Sequence, residues 1–267
     1  MPIALSINLN KIALIRNSRP GNNPDISRYA QRCIAAGVDG LTVHPRPDQR
    51  HIRADDCDVL AKLVRAHNNQ QTQKTGKKIE LNIEGNPFAG STPSSRDDVA
   101  DYPGFVAIVE RTQPDQVTLV PDSSQQLTSD HGFDLHGDNR QLAALIQSLK
   151  QTGARVSLFM DPELEQISRA RDIGADRIEL YTGPFAEQFE HAPGDIHTLF
   201  NQHCDAAEHA HAIGLGLNAG HDLNLDNLPC YAALPYLQEV SIGHALTIDA
   251  LDMGVDAAID RYLALLS

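Results

Sequence analysis

Short apolar runs alternate along this chain with longer stretches whose apolar positions recur at helical spacing. The runs cover residues 3–9, 40–44, 79–84, 116–120, 155–160, 177–181, 214–219 and 239–243. Most are rich in Val, Ile and Leu, the composition of strands covered on both faces. The stretches between them predict helices over 24–36, 54–67, 102–112, 138–152, 162–173, 195–213, 225–234 and 248–266. The first begins with Pro24 and stops at Gly37, a start-and-stop signature. Gly153, Gly174 and Gly214 follow other helices in the same way, so left-handed caps are expected there. Eight β-then-α units in strict order predict an α/β protein, a closed (β/α)₈ TIM barrel, as one domain over residues 1–267. The competing architecture is a doubly wound open sheet. No Gly-rich dinucleotide fingerprint follows the first strand, which counts against it. Two polar excursions, 68–78 and 88–104, read as surface loops, the second near the catalytic face because it follows a strand end.

Composition narrows the partners. Lys and Arg number 22 against 35 Asp and Glu, a formal net charge of −13 over 267 residues. Such a surface is poorly suited to nucleic acid or an anionic membrane. Small anionic substrates need only a few local cations or helix N-termini, so they remain compatible. No run of 18 apolar residues occurs, and the first ten residues read as a strand with no basic leader. Cys33, Cys57, Cys204 and Cys230 are scattered, without a CxxC pair. A reduced, cytoplasmic protein is the expected setting.

Barrel enzymes place their reacting groups at the carboxyl ends of the strands. Here those ends carry Asn8-Leu9-Asn10-Lys11, His44-Pro45-Arg46 with His51 beyond, Asn82-Ile83-Glu84, Pro121-Asp122, Asp161, Glu179, Asn218-Ala219-Gly220-His221-Asp222 and Gly243-His244. Polar groups gathered in a barrel mouth are costly unless paired or functional. Each has an ordinary alternative. His44 could be a satisfied core histidine, and Glu84 a loop-facing carboxylate. Glu179, between Ile178 and Leu180, points into the barrel or pairs with a cation on the helix side. Arg19 and Arg46 could each hold a phosphate or sit on the surface. His221 and His244 each follow a glycine, where backbone amides can approach an anion. The histidines and glutamates show no HxH or HExxH spacing, so no metal is expected.

In order and spacing these segments resemble the pyridoxine 5′-phosphate synthase family. The opening Asn8-Leu9-Asn10-Lys11-Ile12-Ala13-Leu14-Ile15-Arg16-Asn17-Ser18-Arg19 is similar to its first motif, and Gly40-Leu41-Thr42-Val43-His44-Pro45-Arg46-Pro47-Asp48-Gln49-Arg50-His51-Ile52 to its second. Ile178-Glu179-Leu180-Tyr181-Thr182-Gly183, Leu217-Asn218-Ala219-Gly220-His221 and Ile242-Gly243-His244-Ala245 follow in family order. The resemblance spans nearly the whole chain apart from the two excursions. It implies a barrel with extra helices, assembly as a homo-octamer, and no metal or organic cofactor. The implied reaction condenses 3-amino-2-oxopropyl phosphate with 1-deoxy-D-xylulose 5-phosphate to give pyridoxine 5′-phosphate, phosphate and water. His44 and Glu84 would be the proton acceptors, His221 the proton donor, and Glu179 the support for cationic or carbinolamine intermediates. Asn10, Lys11, Arg46, His51 and Thr128 fall where the family holds the deoxyxylulose phosphate. Asn8, Arg19, Asp222, Gly243 and His244 fall where it holds the amino ketone phosphate. Asn10-Lys11 replaces the family's commoner Asp-His, and Asp222 its commoner Gly. The expectation is that these positions form a set, with Asp222 balancing Lys11 or orienting a substrate group. The rival readings are a different phosphosugar lyase or isomerase, and a non-catalytic binder of phosphorylated vitamers.

Overall fold

Eight parallel strands close on one another in chain order: β1 (Ala4–Asn8), β2 (Gly40–Val43), β3 (Glu80–Gly85), β4 (Gln116–Leu119), β5 (Arg155–Met160), β6 (Arg177–Tyr181), β7 (Gly216–Gly220) and β8 (Glu239–Ile242). The computed structural model describes residues 2–72, 76–123, 126–192, 194 and 196–267. Closure is made by β8 against β1, with Ile242 opposite Ile7 and Glu239 opposite Ala4. Every strand expected from the sequence is present, within a residue or two of its expected ends.

The strands are not apolar on both faces. Leu5, Ile7, Leu41, Val43, Leu81, Ile83, Val117, Leu119, Val156 and Leu158 belong to the core beneath the helices. The residues between them are polar and face the lumen. Ser6 Oγ and Thr42 Oγ1 are 2.7 Å apart, and Asn82 Nδ2 donates to Thr42 Oγ1 at 3.4 Å. Thr118 Oγ1 lies 3.2 Å from Asn82 Oδ1 and 3.4 Å from Glu179 Oε2. Its single proton serves one of them at a time. The lumen is therefore a hydrogen-bonded polar layer. This answers the question about Glu179, which points inward.

Among the described residues eleven helices are formed: α1 (Asn10–Asn17), α2 (Ile26–Ala35), α3 (Ala54–Thr72), α4 (Phe105–Thr112), α5 (Arg140–Lys150), α6 (Leu164–Asp172), α7 (Gly183–His191), α8 (His197–Ala212), α9 (Leu228–Tyr231), α10 (His244–Met253) and α11 (Val255–Leu265). Two of them, α1 and α7, were absent from the hydrophobic pattern. The helix expected from Pro24 starts two residues later, capped by the Asp25 side chain on Arg28 N–H. That expected over 54–67 runs on to Thr72 and absorbs the first part of the polar excursion; residues 73–75 lie outside the described residues. The helix expected from 195 starts at His197, and Asp195 is likewise outside the described residues. The expected 225–234 helix shrinks to the single turn of α9. The long 248–266 helix is two helices, α10 and α11, separated at Gly254, whose φ of 87° ends the first. All four glycine caps expected from sequence have positive φ, from 82° at Gly214 to 98° at Gly174. The 88–104 excursion folds over the carboxyl end of the barrel. Gln49 Nε2 donates to Ala100 O at 2.7 Å, and Thr92 pairs with Tyr102. Among the described residues no helix is long and apolar enough to cross a membrane.

Candidate active site

A cavity of about 390 Å³ opens at the carboxyl ends of the strands, and every residue to which the family resemblance gives a role, except Arg19, lines it. Arg19 is exposed, just past the end of α1. The structure therefore corrects the expectation that Arg19 joins the other groups.

The turn after β1 braces both expected proton acceptors. Asn8 Oδ1 accepts from Asn10 N–H at 2.9 Å, and Asn8 Nδ2 donates to Glu84 Oε2 at 3.3 Å. Asn10 Oδ1 accepts from the backbone N–H of His44 at 2.9 Å. Two amides thus hold the ends of β2 and β3 in register with β1. The next loop is fixed from beneath. Buried Arg16 donates to Asp56 Oδ1 at 2.5 Å, to Asp56 Oδ2 at 2.9 Å and to the His51 carbonyl at 3.0 Å. Asn17 Nδ2 also donates to the His51 carbonyl, at 2.7 Å. Ile52 N–H donates to His51 Nδ1 at 2.9 Å, so neutral His51 carries its proton on Nε2.

His44 stands between two carboxylates. Its Nδ1 is 3.9 Å from Glu84 Oε2 and its Nε2 is 3.9 Å from Asp122 Oδ2. Burial, followed by the positive charge of Arg46, holds His44 well below the usual imidazole range. The same two causes, in the same order, lower His51 to about 3. Both imidazoles are neutral at neutral pH. Glu84 moves the other way. Burial pushes it up to about 7, reinforced by the charges of Asp122 and Glu239 and opposed by His221. Glu179 is raised well above the carboxylate range by burial and then by Glu84 and Glu239. Its carboxyl sits tight against β7: a Cβ on Gly220 would lie 2.3 Å from Glu179 Oε1, so any side chain there would push the carboxyl aside.

His221 occupies a strained turn. His221 and Asp222 have φ of 89° and 55°, a left-handed backbone that costs non-glycine residues of order 1–3 kcal/mol each. Thr182 Oγ1 reaches the carbonyls of Gly220, at 2.8 Å, and of His221, while Asn227 Nδ2 donates to the Asp222 carbonyl at 3.1 Å. Those contacts hold the turn. His221 Nδ1 donates to Asp222 Oδ2 at 3.0 Å, which leaves Nε2 to give or take a proton. The hydrogen bond from His221 is the largest of the causes that hold Asp222 below its ordinary range, and Lys11 adds only a weaker charge effect. Asp222 therefore orients His221. No ion pair with Lys11 forms among the described residues, although both line the cavity. Tyr181 packs on the His221 ring edge-on, with centroids 5.5 Å apart, and Phe159 stands behind it.

Sequence reading missed Arg16, Asn17, Asp56, Phe159, Thr182 and Asn227 as parts of the site's support. Phe159 had a signal, an aromatic at the end of β5. Asn227 acts on a turn five residues before it, and the others act through partners dozens of residues away. Among the described residues no group of three or more His, Cys, Asp or Glu is placed to hold a metal ion.

The family model described as "Pyridoxal phosphate biosynthesis protein PdxJ" matches residues 5–267. A pyridoxine 5′-phosphate synthase of Xanthomonas axonopodis pv. citri (strain 306) is 52% identical over 267 residues, covering 100% of this chain and 97% of that protein. One from Xanthomonas campestris pv. campestris (strain B100) is 50% identical over 268 residues, with the same coverage of 100% and 97%. Among solved structures, a 3-hexulose-6-phosphate synthase superposes with a TM-score of 0.57 at 12% identity, covering 99% of this chain and 100% of that one. At that identity it speaks for the barrel fold alone.

Proposed function

Because this chain belongs to the PdxJ family of pyridoxal phosphate biosynthesis proteins, we propose that its cavity condenses 3-amino-2-oxopropyl phosphate with 1-deoxy-D-xylulose 5-phosphate to form pyridoxine 5′-phosphate. The reading takes residues 1–267 as one barrel domain of a cytoplasmic homo-octamer that needs no metal or organic cofactor. The observation that carries it is the gathering of His44, Glu84, Glu179 and His221 around one cavity, with their acid–base properties spread by burial.

The reaction is a series of proton transfers: amine addition to a ketone, dehydration, loss of phosphate, addition of water and ring closure. Groups that both take and give protons near neutral pH serve such a series best. Glu84, at about 7, exists in both forms there. His44 is a neutral imidazole with a free lone pair. His221, held by Asp222 through Nδ1, gives its proton from Nε2. Glu179, an uncharged acid in the free protein, can release its proton when a cationic intermediate forms beside it. Lys11, Arg46, His51 and Thr128 are the proposed contacts for the deoxyxylulose phosphate, with Asn10 bracing them. Gly243 and His244, at the N-terminus of α10, are proposed to receive the amino ketone phosphate, where backbone amides point outward. Asn8 and Asp222 border that side. Arg19 lies outside the cavity, so the reading assigns that phosphate to the α10 terminus.

Purified protein supplied with both phosphates should yield pyridoxine 5′-phosphate, and exhaustive chelation should leave the rate unchanged. Binding without product would favour the non-catalytic vitamer barrel. Cleavage or isomerisation of one phosphate alone would favour the phosphosugar enzyme. Loss of turnover on chelation, restored by a metal, would overturn the metal-free reading. Arg46→Ala should raise the apparent KM for the deoxyxylulose phosphate by about 10-fold or more, the worth of a charge-assisted hydrogen bond, with the KM for the amino ketone little changed. Equal, small effects on both would make Arg46 a structural residue.

A further inference from the structure

Asp122 follows β4, is nearly buried, and has no assigned part in the reaction described above. Its Oδ2 is ion-paired with Arg46 Nη2 and accepts from Ser129 Oγ at 2.9 Å. The same oxygen lies 3.9 Å from His44 Nε2. Its Oδ1, also buried, has no hydrogen-bond partner among the described residues. Asn86 Nδ2 fixes the Asp122 backbone by donating to its carbonyl at 2.8 Å. One carboxylate thus sits between a phosphate-binding cation and a proposed base, and only one of its oxygens is in use.

We propose that Asp122 is a positioning residue shared by Arg46 and His44: it neutralises Arg46 in the free protein and passes to His44 Nε2 when a substrate phosphate takes the arginine. The inference rests on the reading that Arg46 holds a substrate phosphate. A buried guanidinium and carboxylate stay paired until another anion competes for the cation. A phosphate at Arg46 is that anion. Asp122 then has lost its counter-charge, and beyond Ser129 the next ring donor is His44 Nε2–H, about half an ångström beyond hydrogen-bond range. With Nε2–H given to Asp122, the lone pair of His44 is on Nδ1, the nitrogen that faces Glu84. A carboxylate on one imidazole nitrogen fixes the tautomer and stabilises the imidazolium that forms when the other nitrogen takes a proton. His44 would thus become a stronger base only once substrate phosphate is seated. Glu84, on the opposite nitrogen, would stay free for its own proton transfers.

Asp122→Asn keeps the shape and removes the charge. It should act in opposite senses on binding and turnover, which loss of structure cannot do. Affinity for inorganic phosphate, measured by calorimetry on the intact protein, should rise by about 3-fold or more because Arg46 is no longer neutralised. The KM for the deoxyxylulose phosphate should fall with it, while kcat falls by about 10-fold or more. Ser129→Ala removes the other donor to Asp122, leaves it more firmly on Arg46, and should weaken phosphate binding. That variant keeps the test open should Asp122→Asn fail to fold. Phosphate affinity that is unchanged or lower in Asp122→Asn, or stronger in Ser129→Ala, would overturn the proposal, as would an Asp122→Asn kcat equal to the parent's. If the parent forms no product, the functional reading fails by itself; the calorimetric comparison still decides whether Asp122 competes for Arg46.

Discussion

Glu84→Gln should cost about 10²–10⁴-fold in turnover, the usual worth of a positioned acid–base group, in a protein that still folds. Glu84 ends β3 with its carboxyl buried, 3.3 Å from Asn8 Nδ2 and 3.9 Å from His44 Nδ1. Glutamine has the same shape, and its carbonyl oxygen can still accept from Asn8. Only the exchangeable proton is lost. The pH profile carries a second signature. A proton acceptor works in its deprotonated form, and burial puts Glu84 at about 7. The kcat/KM of the parent should therefore climb with pH up to about 7. The residual activity of Glu84→Gln should lack that climb. Near-normal turnover, or an unchanged profile, would remove Glu84 from the acid–base machinery.

The second large effect is on stability. Arg16 on α1 is 1% exposed and donates to both oxygens of Asp56 on α3 and to the carbonyl of His51. Asp56 also caps the start of α3 through the backbone N–H of Arg53, at 2.8 Å. Removing one partner of a buried ion pair leaves the other uncompensated and typically costs about 3–5 kcal/mol. Arg16→Ala should unfold correspondingly earlier in urea. His51 should lose its position as well, since its carbonyl would keep only the donor from Asn17. A loss under about 1 kcal/mol, the range of exposed pairs, would mean that the pair contributes little despite its burial.

How far the sequence reveals this protein depends on how local each determinant is. The strands are legible because a buried strand needs consecutive apolar outward positions, and the glycine caps because a left-handed residue favours glycine. The mouth is legible because strand ends point there by topology, so His44, Glu84, Glu179 and His221 could be placed from position alone. In the lumen, Asn82 beside Glu84 marks a polar face, whereas Ser6, Thr42 and Thr118 alternate with Leu, Ile and Val, and short β-branched or hydroxyl residues pass for ordinary strand filling. Helix α1 was hidden because it begins two residues after β1 ends, with Asn10 and Lys11 at the cavity mouth as its first residues. The break at Gly254 was hidden because apolar periodicity carries on across it. Asp122, Asp56 and Arg16 were illegible as partners. Each depends on a contact 40 or more residues away, and nothing in the local pattern marks it.

The buried carboxyls of the lumen set chemistry against folding. Glu84 and Glu239 are both raised by burial to about 7, and burial raises Glu179 well above its ordinary value too. In an unfolded chain each would titrate near 4.5. A group raised on folding favours the native state fully below its unfolded value, and that support drains away as pH climbs through the folded one. At the pH where Glu84 is ready to accept a proton, the barrel is therefore giving up stability to keep it there. The buried imidazoles of His44, His51 and His203, all lowered by burial, pull the other way, and the stability they contribute is lost as pH falls below the usual imidazole range. The protein's working pH is a compromise written into the lumen, and amide substitutions there would make a sturdier barrel that does less.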